Sequence, residues 1–245
     1  MKLHLVNPNT TASMTEKAAA AARDVSGPDT QIVAATSAMG PASIEGHYDD
    51  ALALPGLLAA IEAAEQQGVD AHIIACFDDT GLDAARSLAR APVVGIGEAA
   101  FHVASLVAHR FAVVTTLRRS VPVIEANLER YGLARRCARV RASDVAVLEL
   151  EDPHSDARAR ISTEIAAALR EDHAEAIVLG CAGMADLARA LAREHGVPVI
   201  DGVASAVGLA QTLVRSGLAT AKTGAYAPPR PKPYAGLLAG FAPKP

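Results

Sequence analysis

A strand–helix–strand unit occurs twice in this sequence, and each copy carries a cysteine where its first strand ends. Cys76 lies within Ile-Ala-Cys-Phe-Asp-Asp-Thr, and Cys181 lies within Leu-Gly-Cys-Ala-Gly-Met. In both copies an alanine-rich helix follows, and a proline opens the next strand 16 residues after Cys76 and 17 residues after Cys181. Repetition of a whole supersecondary unit predicts two related α/β lobes. Approximate twofold symmetry between these lobes would place both cysteines on one cleft.

The remainder of the chain alternates between short apolar strands and helices. The pattern predicts strands at 3–7, 31–36, 71–75, 92–95, 111–116, 176–180 and 198–200. It predicts helices at 11–24, 50–67, 79–90, 118–131, 155–172, 185–195 and 204–216. Apolar strands separated by helices form parallel sheets, which bind ligands at the carboxyl ends of their strands. We therefore expect the chemistry to lie in the strand-to-helix loops.

The composition excludes several classes of protein. A chain of 245 residues with 51% hydrophobic residues can build a full core without disulfides. A net charge of −4 and few aromatic residues give no basis for binding nucleic acid. The sequence has no apolar window of the 18 or so residues that a membrane span needs, and its first apolar run is far shorter than that of a secretory signal. We expect a soluble cytoplasmic protein whose three cysteines are thiols.

The positions of the two repeated cysteines favour acid–base chemistry. A thiol at the end of a parallel strand points toward backbone N–H groups and the positive end of the next helix, which can lower its pKa from about 8.5 by one or more units. A single thiolate of this kind indicates a nucleophile. Two thiols on opposite sides of a cleft suit removal of a proton from one face of a carbon and its return from the other. We interpret Cys76 and Cys181 as the bases of a racemase or epimerase.

Other interpretations of the cysteines fit the sequence less well. An isolated buried cysteine is usually an apolar core residue, but duplication in matching positions favours catalysis here. A redox pair would contain Cys-x-x-Cys and a metal site would contain histidines at ligand spacing, and the sequence has neither. Cys137 has no counterpart in the other copy and is interpreted as incidental. The arginine-rich stretch 135–141 is interpreted as a solvated edge or a subunit contact.

Five motifs stand in order along the chain and together carry a family resemblance. They are Asn-Pro-Asn-Thr at 7–10, Thr-Ser-Ala-Met-Gly-Pro-Ala-Ser-Ile-Glu-Gly-His-Tyr-Asp at 36–49, Ala-Cys-Phe-Asp-Asp at 75–79, Leu-Gly-Cys-Ala-Gly-Met at 179–184 and Ile-Asp-Gly-Val at 200–203. The sequence resembles the hydantoin racemases of the aspartate/glutamate racemase superfamily, to which allantoin racemases are close. With the tail at 222–226, the resemblance covers nearly the whole chain.

The resemblance implies a fold and a domain division. It implies an α/β protein of two Rossmann-like lobes with parallel sheets related by pseudo-twofold symmetry, and an active site in the cleft between them. In this superfamily the C-terminal segment returns to the first lobe. We therefore expect residues 1–97 plus 206–245 to form the lobe that carries Cys76, and residues 98–205 to form the lobe that carries Cys181.

The resemblance also implies an activity. It indicates a racemase without cofactor or metal that inverts carbon 5 of 5-monosubstituted hydantoins, with Cys76 and Cys181 as opposing acid and base. Glutamate racemases are similar to Cys-Asn-Thr and Cys-Thr-His at these places, whereas this chain has Cys-Phe-Asp and Cys-Ala-Gly. The difference argues against a free amino acid as substrate. The alternatives are allantoin racemase and, more distantly, maleate isomerase or arylmalonate decarboxylase.

The chemistry suggests which further residues contact the substrate. The carbon 5 proton of a hydantoin is acidified by the adjacent carbonyl, so the protein must place a base on each face and donate hydrogen bonds to the developing enolate oxygen. The candidates lie in the loops beside the cysteines, at the end of the first strand of each lobe, and in the loop after residue 36. They are Phe77, Asp78, Asp79, Thr80, Ala182 and Gly183 as donors, Asn9 and Thr116 beside the ring, and Ser43 and Ile44 over the side chain.

One alternative belongs to a different class of protein. Two α/β lobes around a cleft also describe small-molecule binding modules. The matched cysteines and the lack of a signal peptide favour an enzyme instead. Because several alanine-rich helices are expected at the surface, we expect a homo-oligomer.

Overall fold

Two four-stranded parallel sheets form the frame of the molecule in the computed structural model, which describes residues 1–243. The first sheet contains β1 (Lys2–Asn7), β2 (Gln31–Thr36), β3 (Ala71–Ile74) and β4 (Val93–Gly95). The second contains β5 (Phe111–Thr115), β6 (Cys137–Ala142), β7 (Ala176–Gly180) and β8 (Val199–Ile200). The central strands are rich in β-branched residues and buried along their length, as expected when helices cover both faces of a parallel sheet.

The two sheets have the same strand order. The first runs β2-β1-β3-β4 and the second runs β6-β5-β7-β8. In the first sheet the last paired residues of β1 and β3 are Val6 and Ile74, and in the second those of β5 and β7 are Thr115 and Gly180. The strands that lead to Cys76 and Cys181 therefore occupy equivalent places. The two-lobed parallel α/β fold predicted from the duplication is confirmed.

Helices pack on both sheets. They are α1 (Ala12–Ser26), α2 (His47–Gln66), α3 (Leu82–Leu88), α4 (Ile96–Val107), α5 (Val121–Arg130), α6 (Ala157–Glu171), α7 (Ala188–His195) and α8 (Gly202–Arg215). The last of them, α8, contacts α1, α4 and strands β3 and β4, so the chain returns to the first sheet near its end. The exact division into 1–97 plus 206–245 and 98–205 stays a prediction. No helix within residues 1–243 has the length and apolar character that crossing a membrane requires.

One hydrophobic cluster continues from the first sheet into the second. It includes Leu5 and Ile73 of the first sheet and Phe111 and Val178 of the second. Phe101 of α4 lies between them, with its ring centroid 6.1 Å from that of Phe111. The lobes are therefore joined by a shared core, which fixes their relative position around the cleft.

Two elements were not among the predicted ones. Helix α4 follows β4 directly, and its apolar sequence continues that of the strand without a polar break. Strand β6 lies in the arginine-rich stretch that was interpreted as a solvated edge or a subunit contact. It is the edge strand of the second sheet, but Arg141 is only 11% exposed because it is paired with Asp172 and Glu171. The interpretation as a solvated stretch was therefore wrong for Arg141.

Candidate active site

A small cavity lies where the carboxyl ends of strands from both sheets meet. Its walls come from the loops after β1, β3, β5 and β7 and from two loops that cover it. The lining residues are Asn9, Met14, Ile44, Ala75, Cys76, Phe77, Asp78, Thr116, Ser120, Val147, Gly180, Cys181 and Ala182. The cavity encloses about 30 Å³, which is room for one or two water molecules. Both repeated cysteines, each partly exposed, thus line one space between the lobes.

The backbone holds the two sulfur atoms in the same way. Cys76 Sγ accepts a hydrogen bond from the backbone N–H of Asp78, and Cys181 Sγ accepts one from Gly183, in each case two residues further along the chain. The next N–H closes the turn on the cysteine carbonyl, at 3.1 Å in both lobes. The duplicated sequence therefore folds into duplicated turns, each of which directs an N–H group at a sulfur.

A side-chain donor is present on one side only. Thr80 Oγ1 donates a hydrogen bond to Cys76 Sγ at 3.4 Å. The residue at the same distance after Cys181 is Ala185, which has no donor. The two halves of the site are therefore alike in backbone and different in side chains.

Burial raises the pKa of both thiols. The pKa of Cys181 is raised to about 11 by burial, which outweighs the hydrogen bond from Gly183, and by the charge of Asp78. For Cys76, burial and then the charge of Asp78 raise the pKa well above its usual range. The expectation that the following helix favours the thiolate was wrong for this structure. Helix α3 begins only at Leu82, and a 3-10 helix follows Cys181, so no long helix dipole offsets the burial.

Asp78 is the carboxylate that acts on both sulfurs. Its own pKa is raised to about 7 by burial and by the charges of Asp50 and Asp79. Asp78 therefore gains its charge near neutral pH. Once ionised, it raises the pKa of both thiols.

Helix α5 of the second lobe holds the loop that carries Cys76. Asn127 Nδ2 donates to the carbonyl of Asp78 at 2.9 Å. One turn further along, the Tyr131 hydroxyl reaches the carboxylate of Asp79. Asp79 has a positive φ of 52° and also accepts the N–H groups of Gly97 and Glu98 at the start of α4. This loop is therefore fixed by contacts from both lobes.

Two loops cover the cavity, one from each lobe. Ile44 lies in the loop after β2, and Val147 lies in the loop after β6, the equivalent edge strand. The loops are joined because the backbone N–H of Val147 donates to Glu45 Oε1 at 3.0 Å. Lys17 of α1 also holds the loop of the second lobe, since it donates to the carbonyl of Leu150 at 2.9 Å. Because the cavity has room for only one or two water molecules, we expect these loops to separate when a ring-sized ligand enters.

Eight of the predicted catalytic or substrate-contact residues line the cavity, which leaves their roles to be tested. They are Asn9, Ile44, Cys76, Phe77, Asp78, Thr116, Cys181 and Ala182. Asn9 Oδ1 accepts hydrogen bonds from Asn7 and Thr11, and its amide nitrogen donates to Met14 Sδ at 3.5 Å.

The structure places Ser43, Thr80 and Gly183 outside the lining. Ser43 donates its hydroxyl to Glu45, while Thr80 and Gly183 lie behind the cysteines and contact their sulfurs. Asp79 is also behind the lining, with its carboxylate occupied by Tyr131 and by the N–H groups of α4. Their contact with the substrate stays a prediction, while in this structure Thr80, Gly183 and Asp79 support the cysteine loops.

Five lining residues were not predicted as site residues. Two of them, Ala75 and Gly180, directly precede the two cysteines. Met14 lies in the first turn of α1, Ser120 lies in the 3-10 helix after β5, and Val147 lies in the covering loop of the second lobe. The equivalence of the two lobes would have indicated Val147 as the partner of Ile44. That signal was lost because strand β6 was not predicted.

The third cysteine lies outside the cavity. Cys137 starts β6 and is partly exposed, and burial raises its pKa to about 12. Within residues 1–243, no group of three or more His, Cys, Asp and Glu side chains is placed to hold a metal ion.

Comparisons with known proteins match almost the whole chain. A family model described as Asp/Glu/hydantoin racemase matches residues 3–210. A hydantoin racemase from Rhizobium meliloti is 51% identical over 96% of this chain and 98% of its own. The structure of allantoin racemase from Klebsiella pneumoniae is 47% identical, covers 100% of both chains and superimposes with a TM-score of 0.96. That of allantoin racemase from Pseudomonas fluorescens is 46% identical over 96% of this chain and 100% of its own, with a TM-score of 0.92.

Proposed function

Because the chain belongs to the Asp/Glu/hydantoin racemase family, we propose that it inverts carbon 5 of 5-monosubstituted hydantoins, with Cys76 and Cys181 as two opposing bases and without a cofactor. The observation that carries the proposal is that both sulfurs line one cavity from equivalent positions in two sheets of the same strand order. A single cysteine would serve only one face of the carbon.

Each turnover uses one cysteine as thiolate and the other as thiol. The thiolate removes the carbon 5 proton on its side of the ring, and the electron pair of the C–H bond passes into the adjacent carbonyl to form an enolate. The thiol then donates its proton to the opposite face, which inverts the carbon. The first cysteine is now a thiol and the second a thiolate, which is the form that deprotonates the other enantiomer.

The enolate needs hydrogen-bond donors, each of which contributes about 3–4 kcal/mol in comparable sites. The N–H groups of Asp78 and Gly183 already serve the sulfurs. We assign the ring and its developing charge to the hydroxyls of Thr116 and Ser120 and to the amide nitrogen of Asn9, which all line the cavity.

Apart from Asp78, the remaining walls of the cavity are apolar. Met14, Ile44, Phe77 and Val147 suit an apolar substituent on carbon 5. Allantoin, which carries a polar ureido group at this carbon, is the second candidate substrate, since two similar solved structures are allantoin racemases. A decarboxylase would need an acid on only one face, so the paired cysteines argue against that chemistry.

The test follows optical rotation of allantoin and of a panel of L- and D-hydantoins, together with proton exchange in deuterated water. Cys76→Ser and Cys181→Ser should each stop racemisation in both directions, because every turnover uses both residues. Each variant should still exchange the single enantiomer that its remaining cysteine deprotonates, without inversion. Racemisation by either variant at the wild-type rate, or equal exchange of both enantiomers by each variant, would contradict the two-base assignment.

Two further measurements separate this mechanism from others. Activity should survive chelation and extensive dialysis, whereas a loss that added metal restores would contradict a cofactor-free reaction. Alkylation of either catalytic thiol, mapped by mass spectrometry, should abolish activity. A protein that binds hydantoins tightly but turns over none would instead be a binding module.

A further inference from the structure

The end of the chain leaves the body of the protein after a well-anchored segment. Thr220 is hydrogen-bonded to Arg90 and Ala91, Lys222 donates to the carbonyls at the end of α3, and the Tyr226 hydroxyl donates to Asp83. We call residues 227–243 the C-terminal arm. Among the described residues, the hydrogen bonds of the arm stay within it or reach back only to Gly224. The arm is therefore tethered at its base and projects from the body.

The arm exposes apolar side chains. Residues 227–240 are all exposed, and the side chain of Leu237 is 101% exposed, as much as in an isolated peptide. Leu238 is half-exposed and Tyr234 also faces solvent. Leu237 and Leu238 belong to a 3-10 helix at Gly236–Phe241, so they form an ordered apolar tip. Such a tip at the end of a projecting segment is typical of a protein contact surface.

Residues 228–233 form the stem of the arm, which is stiff. Four of its residues, at positions 228, 229, 231 and 233, are prolines. Proline-rich segments adopt an extended conformation of about 3.1 Å per residue, so residues 228–233 span roughly 19 Å. The tip is thus held away from its own protomer, and little chain entropy is lost when it docks.

The charge distribution favours a second copy of this chain as the partner. Residues 227–245 contain three Lys and Arg and no Asp or Glu, a formal charge of +3. The first 226 residues contain 20 Lys and Arg and 27 Asp and Glu, a formal charge of −7. Arg230 and Lys232 lie in the stem beside the apolar tip. The arm is therefore complementary in charge to the body of a chain like its own.

We propose that the C-terminal arm docks on the body of a second copy of this chain and holds the homo-oligomer together. The apolar tip is buried on the neighbouring body, and the basic stem lies against its acidic surface. If each protomer gives an arm and receives one, the contact is reciprocal, as expected for a closed symmetric assembly.

The test uses full-length variants at two exposed positions of the apolar tip. Leu237→Asp and Leu238→Asp change exposed side chains, so the protomer should keep its circular dichroism spectrum. Sedimentation velocity over a concentration series should show that each variant raises the dissociation constant of the assembly at least tenfold, since burying one leucine contributes at least that factor. Leu237→Met keeps the tip apolar and is the matched control, which should assemble as the wild type does.

A second measurement locates the arm directly. Amide hydrogen exchange of peptides covering 234–241 should be slow at concentrations where the protein is assembled and fast after dilution to protomers. Arg230→Glu with Lys232→Glu should weaken assembly, and high salt should weaken the wild-type assembly as well. A wild-type protein that is monomeric throughout, protection of 234–241 that persists in the protomer, or assembly unchanged by Leu237→Asp and Leu238→Asp would each overturn the proposal.

Discussion

The hydroxyl of Tyr131 donates a 2.8 Å hydrogen bond to the carboxylate of Asp79 and so joins the second lobe to the loop that carries Cys76. Asp79 is almost fully buried. Its three donors are this hydroxyl and the N–H groups of Gly97 and Glu98. A Cβ at Gly95 or Gly97 would collide with this carboxylate, which explains glycine at both positions. The position of the loop that carries Cys76 therefore depends on a contact made by the other lobe.

Tyr131→Phe should destabilise the protein by about 1–2 kcal/mol, because it removes a donor from a buried carboxylate. Burial raises the pKa of Asp79 to about 7, and the Tyr131 hydrogen bond opposes that rise. An acid whose pKa is higher in the folded state gives stability that is present below pH 4 and is lost as the pH rises through 7. The variant raises this pKa further, so its loss of stability should be larger at pH 8 than at pH 5 in urea unfolding. Tyr226→Phe is the matched control, since its hydroxyl contacts the exposed Asp83 and its loss should cost little.

Thr80→Val should slow proton abstraction by Cys76 alone. The Thr80 hydroxyl stabilises the thiolate of Cys76, and a hydrogen bond to a charged group contributes enough for roughly a tenfold change in rate. The measurement is deuterium exchange in two backgrounds. Exchange should fall about tenfold when Thr80→Val is added to Cys181→Ser and stay within about twofold when it is added to Cys76→Ser. Thr80→Ser retains the hydroxyl and should restore exchange, and equal slowing in both backgrounds would argue against a local effect.

Asp78→Asn should shift the rise of kcat/KM with pH toward lower pH. After burial, the charge of Asp78 is a cause of the raised pKa of both thiols, and the variant removes that charge. In the wild type the charge appears as the pH rises through about 7 and makes the thiolates harder to form. Asp83→Asn, at an exposed carboxylate outside the cavity, should leave the profile in place. A profile that moved to higher pH in Asp78→Asn would contradict this assignment.

Glu45→Ala should open the cavity. It removes the acceptor for the backbone N–H of Val147, the hydrogen bond that joins the two covering loops. We expect alkylation of Cys76 and Cys181 by iodoacetamide, followed by mass spectrometry, to become several-fold faster. Glu45→Gln keeps an acceptor oxygen and should react at nearly the wild-type rate. If both variants reacted as the wild type does, the covering loops would not control access.

The duplication around Cys76 and Cys181 predicted most of the architecture and the residues that share the cavity. Strand β7 occurs at the predicted residues, and both cysteines line one space. Helix α4 and strand β6 escaped prediction because an apolar helix directly after a strand and an edge strand rich in arginine depend on tertiary contacts. The raised pKa values of the thiols were also missed, since local position indicates nearby N–H groups but not how deeply a sulfur is buried.

The unequal side chains behind the two sulfurs have a kinetic consequence. The equilibrium constant between two mirror-image hydantoins is one, so kcat/KM must be equal in both directions whatever the protein contributes. Thr80 beside Cys76, with only Ala185 in the equivalent place, therefore cannot favour one product. It biases instead which sulfur holds the proton while the site is empty. In the proposed two-base reaction, each turnover leaves that proton on the wrong sulfur for a second molecule of the same enantiomer. At high substrate concentration the return of the free enzyme to its starting form should then limit the rate.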